Sequence, residues 1–217
     1  MRVGVLALQG AFAEHRRKVE NLGAQSFEIR GKKDLDRQMD GVILPGGESM
    51  VIGKLLRDLE MAGKLRTMIL NGLPAFGTCA GLILMAQRIK GESAYLATMD
   101  ITARRNAYGR QLGSFWTEES FGEEGKIPMT FIRAPYIEEA GNKVMVLAST
   151  GGKITAARQD NQLVKSFHPE LDDDDTVHRY FLDMIKEAYQ STSRLCCIII
   201  SLKALREETG SGLYRWF

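Results

Sequence analysis

The chain has 217 residues, 44% of them hydrophobic and 26% charged, with a formal net charge of +2. That length can bury one sizeable core, and the near-even charge gives no electrostatic case for nucleic acid or an anionic membrane surface. Three cysteines, two of them adjacent, make no disulfide framework, no Cys/His cluster has zinc spacing, and no apolar run approaches the ~20 residues of a membrane span. A reducing, cytoplasmic setting is the default expectation. Met1–Leu8 is too short for a signal peptide and reads as the start of a fold.

Val3–Leu8 is continuously apolar, as a parallel strand buried on both faces should be. Gln9-Gly10 turns it into a helix predicted over Ala11–Leu22, stopped by Gly23. A second strand is expected near Phe27–Arg30 and a third at Gly41–Leu44, which runs into Pro45-Gly46-Gly47. Ser49 is the candidate cap of the next helix, whose Ile52, Leu55, Leu56 and Leu59 share a face. Ala75-Phe76-Gly77-Thr78-Cys79-Ala80-Gly81-Leu82 then reads as a buried strand, a sharp turn with a thiol at its tip, and a helix predicted over Leu82–Ile89. Strand and helix have by now alternated four times. That is the pattern of a doubly wound, mostly parallel sheet flanked by helices.

Beyond about residue 95 the texture changes. Short strand candidates at Thr130–Ile132, Val144–Ala148, Ile154–Ala157 and Leu163–Phe167, separated by glycine-containing turns, predict an antiparallel extension. A helix over Thr176–Tyr189 closes the body. The acidic run Asp172–Asp175 before it reads as a solvated turn and a favourable helix start, since it lacks the spaced ligands and loop glycine of a calcium site. Residues 190–217 do not match a body of residues 1–189. They carry four basic and two acidic residues, leaving 25 of each sign in the body. This stretch is either an extra docked element or foreign to the domain. Its vicinal Cys196-Cys197 pair reads as inert bulk, because adjacent cysteines form only a strained disulfide.

The turn at Cys79 is a G-x-nucleophile-x-G elbow with cysteine as the nucleophile. Glycines flank it because the turn is tight and nothing must block the approach to sulfur. A helix start there favours a thiolate. A cysteine nucleophile also needs a base. His168, in Ser166-Phe167-His168-Pro169-Glu170-Leu171, follows a strand, and strand ends are where α/β sites assemble. Glu170, two residues on, shares a face with His168 in an extended segment and can orient the imidazole. His15 and His178 lie on predicted helices among charged residues and are expected at the surface. Gly46-Gly47 after the third strand, with the N–H of Ala80 after the nucleophile, is the candidate oxyanion hole.

Cysteine elbow plus late His-x-Glu resembles the class I (triad) glutamine amidotransferases. Six ordered segments narrow the likeness: Leu8-Gln9-Gly10-Ala11-Phe12 with Glu14-His15, Leu44-Pro45-Gly46-Gly47-Glu48-Ser49, Gly77-Thr78-Cys79-Ala80-Gly81, Arg105-Asn106-Ala107-Tyr108-Gly109-Arg110-Gln111, Phe131-Ile132-Arg133-Ala134-Pro135 and Ser166–Leu171. Together, over residues 1–189, they resemble the family of glutaminase subunits of pyridoxal 5′-phosphate synthase. The resemblance implies hydrolysis of glutamine to glutamate and ammonia by Cys79, His168 and Glu170, with glutamine held by Gly47, Glu48, Ser49, Arg105, Ile132 and Arg133. Glu48 suits the substrate ammonium and an arginine its carboxylate; either arginine fits at this point. It also implies a synthase partner that receives the ammonia, contacts the region of Gln9 and switches the glutaminase on. No metal or cofactor is implied, since pyridoxal phosphate is the pathway's product. Met50 stands where the family usually has threonine, and Arg104 where an acidic residue is common. Two rival readings stay open: a triad glutaminase serving another synthase, such as the imidazole glycerol phosphate enzyme, and a catalytically idle scaffold protein.

Overall fold

The computed structural model describes residues 1–105 and 114–190. Its parallel half is built from β1 (Arg2–Leu6), β2 (Gln25–Ile29), β3 (Gly41–Leu44), β4 (Ala75–Thr78) and β12 (Gln162–Lys165), in the spatial order β2-β1-β3-β4-β12. Every neighbouring pair among these five runs parallel. The sheet continues antiparallel through β11 (Lys153–Gln159) and β9 (Tyr136–Ala140) to β6 (Met99–Arg104), which pairs parallel with β5 (Ala86–Ile89). β10 (Met145–Thr150) pairs with β11, while β7 (Ser114–Ser120) and β8 (Lys126–Ile132) form a separate two-stranded ribbon. The expected mostly parallel sheet with an antiparallel extension is what forms.

Helices cover both faces, and the strands divide their side chains between them with period two. Val42 and Leu44 of β3 face one apolar cluster with α2 (Ser49–Asp58), α3 (Ala62–Leu70) and α4 (Ala80–Met85). Ile43 faces the other, with Val19 of α1 (Phe12–Asn21) and Phe181, Leu182 and Ile185 of α5 (residues 176–190). Because the central strands are buried on both sides, they are continuous apolar runs.

Several expectations change. Ser49 opens α2 instead of capping it: Glu48 is the cap and makes no side-chain capping bond. Ile52 and Leu56 are buried as expected, but Leu59 lies past the helix end and is exposed. The helix after Cys79 stops at Met85, and Ala86–Ile89 becomes β5. The sequence pattern does not announce α3, β5, β6, β7 or β9. His15 and His178, expected at the surface, are fully buried. They lie on the inward faces of α1 and α5, at helical spacing from Val19 and Phe181. The acidic turn is engaged on both sides. Thr130 Oγ1 donates to Asp172 at 2.7 Å, Asp174 accepts the Thr176 N–H at 2.8 Å, and Lys18 pairs with Asp175 at 2.9 Å. Residues 106–111 of the arginine motif, the Cys196-Cys197 pair and nearly all of the 190–217 extension lie outside the described residues. Among the described residues no helix is long and apolar enough to cross a membrane.

Candidate active site

The carboxyl ends of β3, β4 and β12 bring the site together, since parallel strands that start at one edge of a sheet all end at the other. At the end of β4, Cys79 adopts φ 46° and ψ −96°, a conformation rare for a residue with a side chain. Its N–H donates to the Lys165 carbonyl at 2.8 Å, tying the elbow to the end of β12. The two elbow glycines are there because of crowding. A Cβ on Gly81 would come within 2.1 Å of the Leu44 carbonyl oxygen, and one on Gly77 within 2.7 Å of the Gly81 backbone. No larger residue fits without moving the strands that aim the thiol.

His168 follows β12, and its Nδ1 lies 2.7 Å from Glu170 Oε1. Pro169 between them restricts the backbone, so the pair is held at short range. A Cβ on Gly46 would lie 2.5 Å from His168 Cε1 and 3.4 Å from Cys79 Cβ, so the glycine turn, the imidazole and the thiol meet at one point. Burial alone would lower the His168 pKa, but hydrogen bonds and charge from Cys79 and Glu170 override it and raise it to about 10. The imidazole is therefore an imidazolium at neutral pH. Cys79, His168 and Glu170 are all largely buried, with exposures of 8, 8 and 5%.

In front of the thiol is a cavity of about 270 Å³, walled by Gly47, Glu48, Ser49, Met50, Ala80, Arg105 and Arg133 among others. It holds most of the expected substrate residues. Ile132 is the exception: it ends β8 half in solvent, and the wall takes the next residue, Arg133, instead. The two arginines differ. Arg105 is bound to Glu92 through Nε at 2.5 Å and Nη2 at 3.0 Å. Arg133, at φ 43°, has no ion-pair partner among the described residues. Arg104 points elsewhere, to Glu138 at 2.7 Å, while Met50 is 58% exposed at the cavity rim. Ser49 Oγ is buried without a hydrogen-bond partner among the described residues.

Gln9 reaches into the turn. Its Oε1 accepts the Glu48 N–H at 2.7 Å. That occupies one of the N–H groups beside the cavity, while the Gly47 and Ala80 N–H groups donate to no other backbone carbonyl among the described residues. Larger clefts of about 380 and 450 Å³ open at the opposite, amino ends of the strands around Asp40, but no cysteine, serine or histidine lines them. Among the described residues no group of three or more His, Cys, Asp or Glu side chains is placed to hold a metal ion.

Known proteins resemble this chain over most of its length. A protein of Methanocorpusculum labreanum described as pyridoxal 5′-phosphate synthase subunit PdxT is 61% identical over 185 residues, covering 85% of this chain and 98% of its own. One of Streptococcus pneumoniae with the same description is 53% identical over 194 residues, covering 88% and 100%. A crystal structure of a glutamine amidotransferase superimposes with a TM-score of 0.81 at 42% identity, over 85% of this chain and 98% of that one. A putative GMP synthase protein of Thermoplasma acidophilum shares the fold alone, with a TM-score of 0.66 at 16% identity over 89% of this chain and 98% of its own. The family model for SNO glutamine amidotransferases matches residues 5–187, most of the chain, and the chain belongs to the SNO glutamine amidotransferase family.

Proposed function

We propose that the chain hydrolyses L-glutamine to glutamate and ammonia and delivers the ammonia to the synthase subunit of a pyridoxal 5′-phosphate synthase. The observation that carries the chemistry is the convergence of Cys79, His168 and Glu170 behind a cavity that presents both an acid, Glu48, and a cation, Arg133, with no ion-pair partner among the described residues. Cys79 Sγ attacks the side-chain amide carbon, and the oxygen's new charge is taken by the Gly47 and Ala80 N–H groups. Such donors are worth about 3–4 kcal/mol each in acyl transfer. His168 gives its proton to the departing nitrogen, so ammonia leaves and a thioester remains. Water then attacks the thioester, His168 accepts its proton, and glutamate is released with the thiol restored. Glu170 accepts the His168 Nδ1–H and so holds the ring with its other nitrogen toward sulfur throughout the cycle.

At the far end of the substrate, Glu48 receives the ammonium. Of the two arginines, Arg133 is the better carboxylate partner because Arg105 already spends its fork on Glu92. Arg133→Ala is then expected to raise KM for glutamine about 10- to 100-fold while changing kcat much less, as loss of uniform binding does. Steady-state kinetics check this. If Arg105→Ala carries the KM effect instead, the assignment of the arginines is reversed.

Gln9 connects the outer surface to the oxyanion turn through its bond to Glu48 N–H, which supports a switch that depends on the partner. Glutamate release is expected to be weak for the chain alone and to rise when the cognate synthase subunit is added. Release indifferent to that subunit would keep the glutaminase and redirect its ammonia to another acceptor. No release in either state would favour the idle scaffold.

A further inference from the structure

Glu170 presents its two oxygens to different partners. Oε1 meets His168, and Oε2, which accepts no hydrogen bond among the described residues, lies 3.4 Å from His15 Nε2, both side chains being shut off from solvent. His15 Nε2 is also 3.1 Å from Thr78 Oγ1, on the residue just before Cys79, and its Nδ1 is 2.9 Å from His178 Nε2. Both imidazoles stand edge-on to the Phe76 ring, at 5.8 and 5.7 Å, which fixes their planes. We infer that His15, oriented by His178 and Thr78, is a positioning residue of the glutaminase: its Nε2–H, 3.4 Å from the second oxygen of Glu170, supplies the polar edge that steadies the carboxylate orienting His168. This extends the triad rearward to α1 and α5 and rests on the glutaminase reading above.

The tautomers follow from counting donors. Burial lowers the pKa of His15 to about 4, and that of His178 falls for the same reason, so each ring carries one N–H at neutral pH. If His15 carried its proton on Nδ1 and gave it to His178 Nε2, then His178 would carry its own on Nδ1. That atom is buried with no partner among the described residues. The lone pair of His15 Nε2 would also point at a carboxylate. With both protons on Nε2, His178 donates to His15 and His15 donates toward Glu170 and Thr78. Only an acceptor atom is then left over, and an unused acceptor is tolerated better than a buried orphan donor.

The other charged groups facing this cluster are Lys165 on β12, Lys18 on α1, Asp172 and Asp174 in the turn before α5, and Cys79 and His168 themselves. For Glu170, burial pushes the carboxyl upward and the neighbouring His15 and His168 more than offset it, so its pKa lies below the usual range. The sign of the test follows. Without the His15 N–H, burial acts less opposed, Glu170 takes a proton at higher pH, and catalysis is lost earlier on acidification.

The test is the pH profile of kcat/KM with the synthase subunit present. His15→Leu is expected to move the acid limb toward neutral by about one pH unit and to lower kcat at pH 7 about tenfold, with KM held. His15→Gln places an amide N–H where Nε2–H was and should return the limb toward its original position. A merely structural histidine would lower the melting temperature in both variants and leave the acid limb unmoved; that result overturns the inference. Should His15→Leu not fold, His178→Leu removes the bond that sets the His15 tautomer and must shift the same limb, or the inference falls. Absence of wild-type turnover would sink the glutaminase reading instead. The pH dependence of Cys79 alkylation by iodoacetamide, followed on its peptide by mass spectrometry, then decides for or against His15 by the same shift.

Discussion

Cys79→Ala is expected to abolish glutamate release from glutamine, by about 10⁴- to 10⁶-fold, because Cys79 is the one thiol lining the cavity among the described residues and the Ser49 hydroxyl there has no side-chain base bonded to it. His168 and Glu170 would remain paired, but with no sulfur to form the thioester they can only assist direct attack by water. The variant should still bind glutamine, since Glu48 and Arg133 contribute at the other end of the cavity and alanine removes no contact with them. Glutamine binding by calorimetry therefore separates lost chemistry from lost structure. Alanine also leaves the strained elbow backbone in place, since at φ 46° it is no easier to accommodate than cysteine. Retained turnover in Cys79→Ala would remove the cysteine mechanism altogether. A wild-type complex that binds glutamine, releases nothing and never reacts at Cys79 with a glutamine-like electrophile would return the chain to the scaffold reading.

The front of this site is readable from residues alone because local rules force it. A nucleophile between Gly77 and Gly81 needs those glycines for backbone clearance against Leu44 and Gly81 itself, and that need leaves a short contiguous mark. His168-Pro169-Glu170 is equally local. The apolar runs of β1, β3 and β4 announce a sheet covered on both faces, and its strand ends locate the site. What escapes is what depends on distance in sequence. β6 and β9 are half-buried strands whose partners lie some 35 residues apart, so neither shows a clean run. The short α4 cannot be told from a longer helix because Ala86 and Ile89, three residues apart around exposed Gln87 and Arg88, fit a helical period although they form a strand. His15 and His178 look like surface residues when their charged neighbours are weighed above periodicity. The periodicity is present all the same: His15 sits four residues before buried Val19, and His178 three before Phe181. Their mutual contact spans 163 residues, and no local pattern can foretell it.

Lys165 extends that lesson and supplies the second large effect. Lys165→Met is expected to stabilise the fold by about 1–3 kcal/mol at pH 7, since it removes a fully buried amine that has no acceptor among the described residues and keeps an unbranched chain of similar volume. The amine lies 4.5 Å from the Phe76 ring centre and 4.9 Å from that of Phe167, an environment that suits a thioether. Burial drives its pKa well below the usual lysine range, against the pull of Glu170, Asp172 and Asp174 and with the help of Lys18. In the unfolded chain a lysine keeps its proton up to a pH of about 10.4, whereas here it gives the proton up earlier. Between those two points the unfolded state binds more protons, so the stability of the natural chain rises with pH through that window. Methionine binds none in either state, and its advantage is therefore largest at neutral pH and shrinks toward pH 10. Urea unfolding of both proteins at pH 7 and 9.5 measures this, and glutaminase turnover of the variant should match the wild type. A variant less stable at pH 7, with reduced turnover, would mean that the buried amine is charged and that its attraction to Glu170 supports both the fold and the triad.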